Sequence, residues 1–132
     1  GVLAAPIIPA VNDSELEEIL ERSVQAGARR AGYSLVRLPH EVKDLFREWL
    51  QQHMPDRAQH VMSLIQSARG GRDNDPQFGR RMSGTGAWAQ LLSDRYRLAA
   101  KRLGLRSDRE VALRTDLFRA PREGTPQLEL GL

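Results

Sequence analysis

The chain has 132 residues, about 40% apolar and 28% charged, with 20 basic and 17 acidic side chains and a net charge of +3. That composition suits a globular chain with one modest core, and no apolar run is long enough to cross a membrane. Cysteine is absent, which excludes disulfides, a thiolate nucleophile and any cysteine-ligated zinc or iron–sulfur site within these residues. The apolar start lacks the basic flank of a secretory leader and runs into an acidic helix, so a cytoplasmic location and no membrane partner are expected.

Val2-Leu3-Ala4-Ala5 reads as a strand that ends in Pro6-Ile7-Ile8-Pro9 and turns at Asn12-Asp13. Asn12, Asp13 and Ser14 are N-cap candidates, and Glu15, Glu17 and Glu18 suit a first helical turn, where free amides and the positive dipole end favour acids. Leu16, Ile19, Leu20, Val24 and Ala28 recur at helical spacing as one apolar stripe, and Gly27 marks the helix end or a close contact in its last turn. Residues 31–39 then read as a second strand. Strand, helix and strand in that order are the parts of a right-handed parallel crossover. Two strands do not make a stable sheet, so residues 2–9 and 33–38 call for parallel neighbours from further residues or from another copy. The chain is therefore expected to be a fragment, or an element that pairs through exposed sheet edges as a homo-oligomer.

After Pro39-His40-Glu41, the stripe Val42, Leu45, Phe46, Trp49 and Leu50 predicts a helix packed into the core, interrupted at Met54-Pro55. A further helix carries Ala58, Val61, Met62, Leu64 and Ile65. Ligands of parallel α/β folds collect beyond the carboxyl ends of strands, which singles out residues 6–13 at the first exit and Arg37-Leu38-Pro39-His40 at the second. Arg37 or His40 could meet an anion there. The plain alternative pairs Arg37 with an acid and leaves His40 as an exposed polar residue. His40, His53 and His60 are too far apart to form a metal-ligand motif.

Charge divides the chain into three zones. Residues 1–68 hold seven basic and nine acidic side chains, residues 69–109 hold ten and four, and residues 110–132 hold three and four. The middle zone contains Arg69-Gly70-Gly71-Arg72 and Phe78-Gly79-Arg80-Arg81-Met82-Ser83-Gly84-Thr85-Gly86-Ala87-Trp88. Its glycines allow close approach to a phosphate, but the order is not that of a triphosphate-binding loop. Mobile loops rich in arginine and aromatics suit a DNA or RNA strand, with Arg69, Arg72, Arg80 and Arg81 on phosphates and Trp88 offering a stacking face. The alternative is a solvated loop folded over the sheet and anchored by Phe78 and Trp88. Residues 86–105 predict a helix that Gly104 terminates. No paired carboxylates, serine–histidine arrangement or thiol points to catalysis.

Several phrases together resemble a known family: residues 6–17 (Pro-Ile-Ile-Pro-Ala-Val-Asn-Asp-Ser-Glu-Leu-Glu), Ala26-Gly27-Ala28-Arg29-Arg30-Ala31-Gly32-Tyr33, Arg37-Leu38-Pro39-His40-Glu41-Val42, and residues 61–65 through Arg69-Gly70-Gly71. The run Phe78-Gly79-x-Arg81-Met82-x-Gly84-x-Gly86 and Leu117-Phe118 extend the match over nearly the whole chain. The chain resembles the C-terminal part of bacterial radical S-adenosylmethionine proteins of the spore photoproduct lyase-like, DNA-repair-photolyase-like group. The resemblance implies an α/β fold, the last βα units of a partial (β/α) barrel followed by a mainly helical C-terminal extension. In the full-length parent, three cysteines near the front of the barrel would hold a [4Fe–4S] cluster that binds S-adenosylmethionine, whose reductive cleavage yields a 5′-deoxyadenosyl radical for hydrogen abstraction. Those cysteines are not in this chain, so it is expected to carry no cluster and no radical chemistry itself. By resemblance, Ile8, Pro9, Asn12, Arg37 and His40 form a wall of the S-adenosylmethionine and substrate site.

The expected divisions are residues 1–66 as the barrel part, 67–109 as basic loops and helix, and 110–132 as a tail. The tail ends in Gln127-Leu128-Glu129-Leu130-Gly131-Leu132, similar to the short peptides by which bacterial proteins bind the DNA polymerase sliding clamp, with Gln127, Leu128, Leu130 and Leu132 as contacts. Beside the radical-enzyme reading stands an accessory module that binds nucleic acid or the clamp without catalysis.

Overall fold

The structure is a computed structural model describing residues 1–107 and 115–119. A parallel crossover opens it. Strand β1 (Val2–Ile7) leads through a single 3-10 turn, Asp13–Glu15, into helix α1 (Leu16–Gln25) and back to strand β2 (Arg30–Leu35). The strands pair in parallel, Val2 with Ala31, Leu3 with Gly32 and Ala4 with Tyr33, with an irregularity before Ile7 meets Leu35. Three helices follow, α2 (Val42–His53), α3 (Pro55–Ser67) and α4 (Gly86–Arg102), and a two-residue strand β3 (Arg106–Ser107) returns beside Arg30 and Ala31. The sheet order is β1-β2-β3. The chain is thus mixed α/β, a parallel sheet with four helices, and none of those helices is long and apolar enough to cross a membrane.

Side chains alternate across the sheet, so Ala4, Ala31 and Leu35 share one face. With Ile7 they are buried against Leu16 and Leu20 of α1 and Ala89, Leu92, Ala99 and Ala100 of α4. Tyr96 closes this core, its hydroxyl donating to the Ala31 carbonyl at 2.6 Å while its ring lies 4.8 Å from that of Tyr33. The opposite face carries Leu3, Ala5, Gly32 and Ser34. Leu3 is 61% exposed. Parallel sheets are ordinarily covered on both faces. Here the second face is bare over β1, whose outer edge has no strand neighbour among the described residues.

A second core gathers Val36 and Leu38 beyond β2 with Leu50, Ala58, Val61, Met62 and Ile65 of the α2–α3 hairpin. The stripe predicted to bury α2 is only partly buried. Leu50 is enclosed, whereas Val42, Leu45 and Trp49 are exposed. The helix packs chiefly on α3, so a stripe this wide is covered along one margin; Phe46, half-buried against the second core, stacks on the exposed Trp49, whose ring lies 5.2 Å from that of His53.

Helices α1 and α4 are joined by a two-pronged ion pair. Arg95 donates from Nε to Glu17 Oε1 at 2.8 Å and from Nη2 to Glu17 Oε2 at 2.6 Å, and Nη2 also reaches the Asp13 carbonyl at 2.9 Å. The Arg95 hydrogen bonds hold the Glu17 carboxyl below its ordinary value of about 4.5 and raise Arg95 in turn. A carboxylate whose folded pKa is depressed contributes stability above the unfolded value and loses it as pH falls through the folded one. Glu17→Gln is therefore expected to cost about 1 kcal/mol at pH 7, discounted for partial exposure, and nothing once pH lies well below the folded value. Urea titrations at both pH values check this.

Candidate functional site

The exits of β1 and β2 lie side by side because the Val36 amide donates to the Ile7 carbonyl at 2.9 Å. At the first exit the Ile8 carbonyl accepts from the amides of Val11 and Asn12, both at 3.2 Å, and Ala10 takes a left-handed φ of 55°. Asn12 makes no cap bond to the helix, contrary to the expectation from its position. Its Oδ1 instead accepts from the Ile8 amide at 2.7 Å and its Nδ2 donates to the Pro6 carbonyl at 3.0 Å. Both ends of the amide are thereby used in bracing the turn. Asn12→Ala is expected to destabilise the protein by about 1–2 kcal/mol by orphaning these groups, and Asn12→Asp, which keeps the acceptor, by less. Chemical denaturation of the two variants measures the difference.

The other residues expected to wall the site divide in the same way. Pro9 is fully buried, so its ring belongs to the interior and not to a ligand surface. Ile8 is half-buried and leans on the second core. His40 is exposed with a φ of 47°. Arg37 is half-buried at the second exit, with its Nε shut off from solvent and without a hydrogen-bond partner. Asn74 Oδ1 is likewise enclosed and unpaired.

Residues 69–86 form a held arch, whereas the sequence suggested mobile loops. Arg69, expected on phosphates, is 3% exposed. Its Nη1 donates to the carbonyls of Arg80 and Arg81 at 3.2 and 2.7 Å, and its Nη2 to that of Val36 at 2.8 Å. Burial pushes its pKa below the ordinary arginine value, with Asp75 opposing the shift and Arg37 adding to it. The arch also caps the sheet. The Leu35 amide donates to the Met82 carbonyl at 2.8 Å, where β3 no longer reaches, and Ser34 Oγ lies 3.7 Å from Met82 Sδ. Gly70 and Gly71, at φ of 65° and 83°, serve the end of α3, where the Gly71 amide returns to the Gln66 carbonyl at 2.8 Å.

Much of the basic charge is spent internally. Arg80 faces Asp75 at 3.4 Å, Arg102 pairs with Glu21, Arg97 with Asp94, and Arg47 of α2 with Asp73 of the arch. Trp88 is half-buried, with part of its surface packed against the first core. Arg72 is exposed, and Arg81 lies over the Phe78 ring at 5.3 Å. Phe78, which the sequence offered as an anchor of the loop, is 84% exposed. The sequence could not tell the anchoring aromatic from the free one, because both flank glycines.

The chain has no cysteine to hold an iron–sulfur cluster, and no group of three or more metal-ligating side chains is assembled among the described residues. The tail residues Gln127, Leu128, Leu130 and Leu132 lie outside the described residues. No family model matches the chain, and no curated protein or solved structure matches it significantly.

Proposed function

We propose that the chain forms the last βα units of a radical S-adenosylmethionine barrel, with the exits of β1 and β2 contributing one wall of the cofactor and substrate site. The observation that carries this reading is the parallel β1–α1–β2 crossover, whose first strand has no neighbour on its outer edge among the described residues and leaves Leu3 exposed on its second face. Such a sheet is completed by further parallel strands, and a barrel places its functional groups at the strand exits. Arg37 and His40 are the side chains left able to meet a ligand there, while Ile8 and Asn12 shape the backbone and Pro9 backs it. The iron–sulfur cluster, held by cysteines of the longer parent, would supply the electron for cofactor cleavage. Anaerobic reconstitution of the parent tests the reading. Cluster absorbance with reductive cleavage of S-adenosylmethionine is expected, and a parent with an intact cluster that never cleaves the cofactor overturns it.

A second reading rests on Phe78 and Arg81. An exposed ring with a guanidinium over it, close in sequence to Arg72 and Arg80, suits a single nucleic-acid strand that stacks one base and neutralises phosphates. Binding of a labelled oligonucleotide should weaken steeply with salt and fall at least tenfold in the Phe78→Ala, Arg81→Ala double variant. Salt-independent binding, or none, removes this role.

A further inference from the structure

We infer that a cavity at the amino-terminal end of the sheet binds a phosphorylated small molecule by its phosphate, with Arg29 and Arg106 as the contacts. The cavity, of about 400 Å³, opens between the ends of α1 and α4 and is lined by Val24, Gly27, Arg29, Leu103, Gly104 and Arg106. It lies at the opposite end of β2 from Arg37 and His40, apart from the proposed cofactor wall. Three arginines converge beside it. The Arg106 amide donates to the Arg29 carbonyl at 3.2 Å, and Arg30 is the in-register neighbour of Arg106 across the β2–β3 pair. Such neighbours lie about 5 Å apart on one face of a sheet, and like charges placed there oppose each other. Lys101, in the last turn of α4, adds a fourth cation at this end.

No carboxylate answers them. Strands β1, β2 and β3 contain no acid, and every acid of the two helices is engaged elsewhere: Glu17 by Arg95, Glu18 by Arg22, Glu21 by Arg102 and Asp94 by Arg97. Among the described residues Arg29, Arg30, Lys101 and Arg106 therefore have no ion-pair partner. The helix ends offset this charge only in part, since each C-terminus carries about half a negative charge and two of them answer about one cation of the four. Their last turns are also closed by the chain itself. The Ser23 and Val24 carbonyls accept from the amides of Ala28 and Gly27, and those of Ala100 and Lys101 from Leu105 and Gly104. Arg29 and Arg106 are exposed, so their donors are free to reach a ligand in the cavity. A phosphate accepts from guanidiniums in a fork geometry that suits both groups, and the cavity is large enough for the body of a small ester beside it.

The test uses the 132-residue chain with inorganic phosphate and pyrophosphate as probes, at ionic strength matched with chloride. One or both should raise the Tm saturably, by about 5 °C at ten times the Kd, and should shift the backbone amide resonances of Gly27, Arg29, Gly104 and Arg106 more than those of the arch. Arg29→Gln with Arg106→Gln should weaken the response at least tenfold. Because that change removes opposed charges, the Tm without probe should equal or exceed that of the unmodified chain. Arg57→Gln, an exposed position on α3, should leave the response unchanged. Absence of a saturable response to either probe, resonance shifts centred elsewhere, or an unchanged response in the double variant overturns the assignment. A short oligonucleotide that binds through these arginines where neither probe does assigns them to a nucleic-acid backbone and overturns the small-ligand site. The resonance map of the unmodified chain decides the matter if the double variant does not fold. None of these readouts involves a cluster or the strand exits, so failure here leaves the radical-enzyme reading standing, and failure of that reading leaves this site standing.

Discussion

Replacing Arg69 with alanine is expected to destabilise the protein by about 3 kcal/mol and to release the arch from the sheet. Three hydrogen bonds from a charged donor are lost together, each typically worth about 1.5–3 kcal/mol, and part of the loss is returned because the guanidinium no longer has to be desolvated. The side chain is 3% exposed and spans two otherwise separate pieces of backbone, the β2 exit at Val36 and the arch at Arg80 and Arg81. Arg69→Lys should recover less than half, because one ammonium cannot reproduce a planar fork directed at three carbonyls. Denaturant unfolding gives the magnitude, and hydrogen exchange at the amides of Leu35, Arg81 and Gly84 shows whether the loss begins at the arch. Equal stability of the alanine variant would mean that Arg69 does not bolt the arch.

The second large effect belongs to Gly84. Its φ is 72°, and a β-carbon there would stand 2.7 Å from Leu35 Cδ1, 3.0 Å from the Ala68 carbonyl oxygen and 3.3 Å from Ala89 Cβ. Gly84→Ala thus adds left-handed strain to overpacking and is expected to cost about 2–4 kcal/mol. Gly79 supplies the control. Its φ is 89° but nothing lies within 4 Å of the added carbon, so Gly79→Ala should cost about 1 kcal/mol, from strain alone. Thermal or urea unfolding of the two variants separates crowding from backbone conformation, and equal losses would show that the contact with Leu35 and Ala68 gives way freely.

The elements were legible where local rules decide them. The crossover, the α1 stripe with Leu16 and Leu20, the core positions of α3 and the close of α4 before Gly104 follow from periodicity and helix-end chemistry. Tertiary partners were not. The wide α2 stripe predicts burial, but only the neighbours of a helix decide which margin is covered, and Leu45 is left outside. Asn12 stands where a cap belongs, yet the return of the chain from Ile8 offers its amide two better partners. Arg69 and Arg72 flank the same glycine pair and are alike in sequence. One is a bolt and the other a surface charge, a distinction set by the Val36 carbonyl more than thirty residues earlier. At the candidate site, position along the chain singled out Arg37 and His40. It could not show that Arg37 Nε is enclosed without a hydrogen-bond partner, since that depends on tertiary neighbours.

The division into two cores gives each its own tryptophan. Trp88 rests against the cluster formed by the sheet, α1 and α4, and Trp49 stacks on Phe46 at the margin of the α2–α3 cluster. Substituting either indole with phenylalanine leaves a single emitter in one half, so fluorescence during unfolding can follow the halves separately. Coincident transitions would show that the few links between them, Val36 to Ile7 and Arg69 to Val36 among them, make one cooperative unit. Displaced transitions would show a hairpin that melts by itself while the crossover stays folded.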